Sequence, residues 1–264
     1  MGLEKSDVSP GSPSLHYLRV AVSLGWQDVK DTYQRSALGP VWITLGLAIQ
    51  ISAIGAVFGL LLGADVSVYI PFLSISFVLW NFMLISANES ALSFVQSERL
   101  LKQTALPKFF PVLRSFAKNS IILAHNFSII FIVVPLFRID IGPSVFLAIP
   151  GLAILLGNMY WISTVIGIVS TRYRDLPPIV SSFFMISFYV TPILWMPETL
   201  PENFRQIVVT FNPFFHLMEI VRAPLMGNTP ETLNWVVAIG ALVIGSLIAL
   251  QIHRKYSRKI VYWL

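Results

Sequence analysis

The 264-residue sequence contains no cysteine, which excludes disulfides, thiolate metal sites and a cysteine nucleophile. Charge is scarce as well: Asp, Glu, Lys and Arg together make up 12% of the chain. No phosphate loop of the form G-x-x-x-x-G-K-[ST] occurs, so the chain has no recognisable means of hydrolysing ATP. H-E-x-x-H and G-x-S-x-G are missing too, no acidic cluster has metal-ligand spacing, and the four histidines, His16, His125, His216 and His253, are scattered. An enzyme would need a convergent acid, base or metal set, and none is visible.

What the chain has in quantity is hydrocarbon. A hydrophobic fraction of 55% and a mean hydropathy of +0.73 exceed what one soluble core can hide. Six apolar runs stand out: Trp42 to Leu62, Tyr69 to Phe94, Val112 to Phe137, Val145 to Ser170, Ile179 to Trp195 and Trp235 to Ile252. Crossing a hydrocarbon core of ~30 Å takes roughly 20 such residues, and the fifth run is the shortest. The sequence therefore predicts an all-α polytopic membrane protein with six transmembrane helices.

Basic residues give the joins their sides. Lys5, Arg19, Lys30 and Arg35 precede the first run; Arg99, Lys102, Lys108, Arg114 and Lys118 cluster around the second join. Arg172 and Arg174 fill the fourth, and Arg254, Lys255, Arg258 and Lys259 follow the last run. Only Arg138, Arg205 and Arg222 fall on the other side. The positive-inside rule makes the rich side cytoplasmic and puts both termini there. The net charge of +5 is mostly this topological signal and implies no nucleic-acid partner.

Residues 1–14 read as a flexible cytoplasmic tail, polar and without a cleavable signal. In residues 15–41, Leu15, Leu18, Val22, Trp26, Val29 and Tyr33 recur at helical spacing opposite a polar face. That pattern predicts an amphipathic helix lying in the cytoplasmic interface, with packing against protein as the alternative. Residues 42–252 form the six-span domain, and residues 253–264 a cytoplasmic tail. Gln96 to Ala105, polar and basic with a Leu pair, reads as a short helix across the cytoplasmic face. Outside, about 39 residues separate the last two runs, long for a mere connection. Asn212-Pro213 starts a helix there and Gly227 stops it. Its apolar content predicts a short re-entrant helix in the outer leaflet, preceded by another near Glu202 to Phe211; a simple outer cap is the alternative. Glu219 and Arg222, three apart, can pair and lower the cost of burial.

Ionisable groups at membrane depth point to function. Glu89 and Lys118 fall at similar depths in neighbouring runs, which suggests an ion pair that fixes helix packing, with a role in transport as the alternative. His125, with Asn119 and Asn126, reads as interhelical glue. Aromatic side chains are the other feature: Phe77 and Trp80 in the second run, and Phe184, Phe188, Tyr189 and Trp195 in the fifth, lie partly in span interiors. Aromatic faces can stack on sugar rings and line a glycan channel; ordinary packing or contact with lipid explains each residue singly.

Several short motifs, in this order and on this topology, resemble the type 2 ATP-binding-cassette exporter permeases. They are Tyr33 to Trp42, Leu100-Leu101-Lys102 with Pro107-Lys108, Arg172-Tyr173-Arg174-Asp175, Thr191-Pro192-Ile193-Leu194-Trp195, and Asn212-Pro213 with Glu219 to Arg222. Among these the chain is most similar to subunits that export O-antigen and other cell-surface polysaccharides. The resemblance implies a homodimer of permeases in a bacterial cytoplasmic (inner) membrane, working with two copies of a separate ATPase that binds ATP and Mg; this chain itself holds no cofactor. It makes Gln96 to Ala105 the coupling helix, with Glu98, Arg99 and Lys102 touching the ATPase. It implies a polyprenyl-diphosphate-linked glycan as substrate. Lys30 and Arg35, and secondarily Arg172 and Arg174, could hold the diphosphate or headgroup; positive-inside retention accounts for them equally. The nearest rival is a type 2 exporter of teichoic acid, capsule, a small lipid or a drug. An ion channel would need a polar filter, which the six runs lack.

Overall fold

The computed structural model describes residues 13–264 except Tyr33, Arg35, Ala37, Ala64, Thr104 and Ala105. The described chain is helical throughout: α1 (Pro13–Thr32), α2 (Val41–Leu62), α3 (Val66–Gln96), α4 (Glu98–Gln103), α5 (Phe110–Leu136), α6 (Ala148–Arg172), α7 (Leu176–Val190), α8 (Glu202–Thr210), α9 (Pro213–Leu225), α10 (Thr232–Tyr256) and α11 (Ile260–Trp263). A short 3-10 turn, Pro143–Leu147, leads into α6.

Among the described residues, α2, α3, α5, α6 with its leading turn, and α10 are long and apolar enough to cross a membrane. The fifth apolar run does not become a helix of that length. It yields α7, 15 residues, because Pro192 disfavours helical backbone in the residue before it, and Thr191 is extended with φ −80 and ψ 138. Five helices rather than six therefore meet the length requirement by themselves.

The bundle is built around α3, most of which is buried, whereas α2 and α10 expose most of their length. Most of its buried hydroxyls are satisfied by the helix itself: Ser74 Oγ donates to the Ile70 carbonyl at 2.7 Å and Ser76 Oγ to that of Phe72 at 2.7 Å. This is how serine is accommodated where water is absent, whereas Ser86 Oγ has no partner among the described residues. Asp65 caps the start of α3, accepting from the Ser67 amide at 2.9 Å, and the Ser67 hydrogen bonds hold its carboxyl below the usual range.

Helix α1 packs along α5 through a face that, of the described residues of its apolar stripe, takes in only Val29. Ala21, Gly25 and Val29 are buried, while Leu15, Leu18, Val22 and Trp26 are exposed. Small residues permit the close approach: a Cβ on Gly25 would lie 2.8 Å from the Lys118 backbone nitrogen. At the other end of the bundle α9 lies equally close to α6, where a Cβ on Gly151 would collide with the Ile220 carbonyl. The last residues fold back under the bundle. Ile260 is fully buried and packs in one cluster with Phe94, Leu101, Val112 and Ile168, the near ends of α3, α4, α5 and α6.

Candidate functional site: a short surface helix, an ion-pair layer and an aromatic core

Helix α3 stops at Ser97, whose amide folds back onto the Ser93 and Phe94 carbonyls, and the chain turns into α4. One side of α4 is anchored by Leu101, 3% exposed. Its other side presents Arg99, Lys102 and Gln103 to solvent. Lys102 Nζ lies 2.7 Å from Glu98 Oε1, and that hydrogen bond, with lesser help from the charges of Arg174 and Arg99, keeps the Glu98 carboxyl below the ordinary value. Arg174, in the α6–α7 loop, is exposed as well.

One layer further in, the structure brings Glu89 and Lys118 together. Lys118 Nζ lies 2.5 Å from Glu89 Oε1, and Ser115 Oγ donates to Glu89 Oε2 at 3.4 Å. Beside them Arg114 grips Asp28 of α1 with two hydrogen bonds of 2.6 and 2.8 Å, the bidentate geometry that suits guanidinium to carboxylate. The Glu89–Lys118 pair separates two polar clefts. One, of about 350 Å³, reaches inward to Gln50 and Asn81; the other, of about 310 Å³, opens between Asp28, Asp31, Ser93 and Arg114. Lys30 stands over the Trp26 ring at 5.3 Å, and Trp26 stacks on His125 at 5.7 Å. His125 thus contacts α1 through its ring face, while its Nδ1 stays 2.9 Å from the Ile121 carbonyl of its own helix. The buried Asn119 amide and Asn126 Oδ1 have no hydrogen-bond partner among the described residues. Arg35 lies outside the described residues. Arg172 lies against the Trp263 ring, away from Lys30.

Five of the six aromatic residues singled out in the sequence form one connected ring cluster joining α3, α7 and α9; Trp195 joins it only through its indole N–H, which donates to the Tyr189 carbonyl at 3.2 Å. Trp80 meets Phe184, Phe188 and Phe214 at centroid distances of 5.8, 5.9 and 5.4 Å, and Phe77 meets Phe188 edge-on at 5.6 Å. Phe77, Trp80 and Phe184 are 4%, 3% and 2% exposed, buried among rings of the same protomer. Phe188 and Trp195 are half-buried, and Tyr189 is exposed. The exposed side of α7 carries Phe183 and Tyr189 together with Ile179, Met185, Ile186 and Val190, with the buried rings behind them.

On the side remote from α4, α9 is held by a buried cation. Arg222 donates to Glu219 Oε2 at 2.9 and 2.5 Å, to Ser76 Oγ at 2.9 Å and to the Pro192 carbonyl at 2.7 Å. Its guanidinium also lies 4.3 Å from the Phe72 ring centroid, a cation–π contact. Asn212 caps α9 by accepting from the Phe214 and Phe215 amides at 3.0 and 3.2 Å, and its Nδ2 donates to Thr191 Oγ1 at 3.0 Å. The Tyr69 hydroxyl donates to the Leu194 carbonyl at 2.7 Å. The break after α7 is tied on every side.

Residues 20–226, from within α1 to the end of α9, match the ABC-2 type transporter family. The chain belongs to this family. Two curated proteins of Klebsiella pneumoniae, each described as an O-antigen export system permease protein RfbA, are 27% identical to this ABC-2 chain. One alignment spans 208 residues, 77% of the chain and 78% of the relative; the other spans 192 residues, 71% and 72%. It is a membrane transport subunit of ABC-2 type, and α10 and α11 lie beyond the matched segment. For this ABC-2 permease the Glu219–Arg222 pair was legible as an i, i+3 spacing, but its partners Ser76 and Pro192 were not. Nothing local to α3 or to the Thr191-Pro192 turn announces a contact 146 residues away.

Proposed function

We propose that this chain is the membrane-spanning half of an exporter that moves a polyprenyl-diphosphate-linked polysaccharide of O-antigen type from the cytoplasm across a bacterial inner membrane. The observation that carries the reading is the family membership together with two O-antigen permeases among its relatives. Two permeases form a homodimer, and each engages one copy of a separate ATPase, which binds ATP and Mg. Helix α4 is the coupling helix: Leu101 roots it in the bundle, while Glu98, Arg99 and Lys102 meet the ATPase, flanked by Arg174. The five long helices and the short α7 make six crossings, with α8 and α9 dipping back to complete the outer third. Both termini are cytoplasmic. Lys30, with Arg35 beyond it in sequence, meets the diphosphate at the inner headgroup level. Tyr189 and Phe183 face the glycan, and Phe77, Trp80, Phe184, Phe188 and Trp195 give that wall its shape. ATP binding drives transport through its differential affinity for two arrangements of the dimer.

The test is co-expression with the neighbouring ATPase, purification of the complex, and parallel measurement of ATP hydrolysis and lipid-linked glycan movement in vesicles. The expected outcome is ATP-dependent glycan translocation that is abolished in a Glu98→Ala, Arg99→Ala, Lys102→Ala variant, with loss of ATPase association. A chain that recruits no ATPase would sink the proposal. Translocation of a teichoic acid or a small lipid instead of the glycan would retain the exporter and replace the substrate.

A further inference from the structure

A second basic site sits at the α4 end of the molecule, outside the clefts around Glu89 and Lys118. The ends of α6, α10 and α11 enclose a cleft of about 370 Å³. Its aliphatic side is Ile168 and Val169, its aromatic side Tyr173, Tyr256 and Trp263, and its cations are Arg172 and Lys259. The Arg172 guanidinium lies 5.7 Å from the Trp263 ring centroid, and Trp263 leans on Tyr256 at 5.5 Å. No carboxylate lines the cleft. Neither cation has an ion-pair partner among the described residues.

The wall that carries Lys259 and Trp263 is anchored. Ile260, between them, is fully buried against Leu101, Phe94 and Ile168, so the two side chains are held opposite Arg172. Both cations are solvent-exposed, and both line one cleft that also offers phenol donors and an apolar flank. The complementary ligand has a compact anion joined to hydrocarbon. A guanidinium fork and an ammonium suit phosphate oxygens, Trp and Tyr suit the headgroup level, and the Ile168–Val169 flank suits an acyl chain. An inorganic anion would leave that flank unused. A zwitterionic headgroup would bring its own ammonium against the two cations.

We propose that the cleft between α6, α10 and α11 binds the phosphate headgroup of an anionic phospholipid. Only the choice of leaflet, the inner one, rests on the topology proposed above. An occupied site ties α11 to α6 and so steadies the underside of α4. Basic pockets of this kind between the cytoplasmic ends of spans are established physics for lipid phosphate.

The test uses the full chain in phosphatidylcholine nanodiscs, with phosphatidylglycerol titrated in and bound lipid counted by native mass spectrometry. The expected result is saturable retention of phosphatidylglycerol that falls on the order of tenfold in Arg172→Gln/Lys259→Gln. Arg254→Gln/Arg258→Gln, which removes the same charge from the same end outside the cleft, retains it. Arg172→Lys/Lys259→Arg, which keeps both charges, also retains most of it. An equal fall in both glutamine variants would mean unspecific attraction and overturn the site. Two further arms replace phosphatidylglycerol with a polyprenyl phosphate or with inorganic phosphate. Retention of either one alone, with none of phosphatidylglycerol, would overturn the phospholipid and reassign the cleft to substrate or to a free anion. Because the readout is lipid binding without an ATPase, a failure of the exporter reading leaves it intact.

Discussion

Glu89 and Lys118 are half-buried, and Lys118 Nζ lies 2.5 Å from Glu89 Oε1, so each is the other's ion-pair partner. Reversing one sign places like charges together and leaves both short of a partner, at a cost on the order of 3 kcal/mol. Glu89→Lys and Lys118→Glu alone are each expected to lower the thermal midpoint and the yield of folded protein. The double reversal is expected to recover most of the loss, because Ser115, which donates to Glu89 at 3.4 Å, can as readily accept from a lysine. Failure of the double variant to recover would mean that one of the two charges acts separately from the pair. The depth match that suggested the pair was readable from the sequence because both residues interrupt apolar runs. The Asp28–Arg114 pair was not, since it joins α1 to α5 and no spacing rule connects residues 86 apart.

For α9 the decisive quantity is how many hydrogen bonds converge on one buried guanidinium. Arg222→Ala would leave the Glu219 carboxylate without its cation and remove the link to Ser76 and Pro192, a loss of about 3–5 kcal/mol. Arg222→Lys keeps the charge but cannot span Glu219, Ser76 and Pro192 together, so it is expected to fall between the two. Unfolding in detergent ranks the three; equal stability of wild type and Arg222→Ala would refute the clamp. Elements of this kind mark where sequence reading stopped. The start of α9 and the polar break before α4 follow from Asn212-Pro213 and the Gln96 to Ala105 composition, whereas the start of α3 at Val66, capped by Asp65, lies ahead of the apolar run that begins at Tyr69. The packing face of α1 did not follow, because Ala21 and Gly25 carry no hydrophobic signal, and a lipid-facing stripe outweighs them in any periodicity. The burial of Ile260 was equally hidden, since four residues of α11 are too few to show a pattern.

At the scale of the molecule, the absence of cysteine makes topology directly measurable, with no native thiol to remove. Single cysteines at Gln103 in α4 and at Ser257 after α10 are expected to react with a membrane-impermeant maleimide only once the cytoplasmic side is opened. One at Asn228, in the turn after α9, is expected to react in intact cells' outer-membrane-permeabilised form. Labelling of Gln103 and Asn228 from the same side would overturn the six-crossing arrangement. That arrangement gives the surrounding bilayer a particular shape. Fifteen residues of α7 reach only about 22 Å, against a hydrocarbon core of ~30 Å. Beside α7 the lipid must thin, or α8 and α9 must take its place in the outer leaflet, and thinning costs fractions of a kcal/mol per Å. Where lipid rather than α8 and α9 borders α7, hydrophobic mismatch on this flank favours short-chain bilayers.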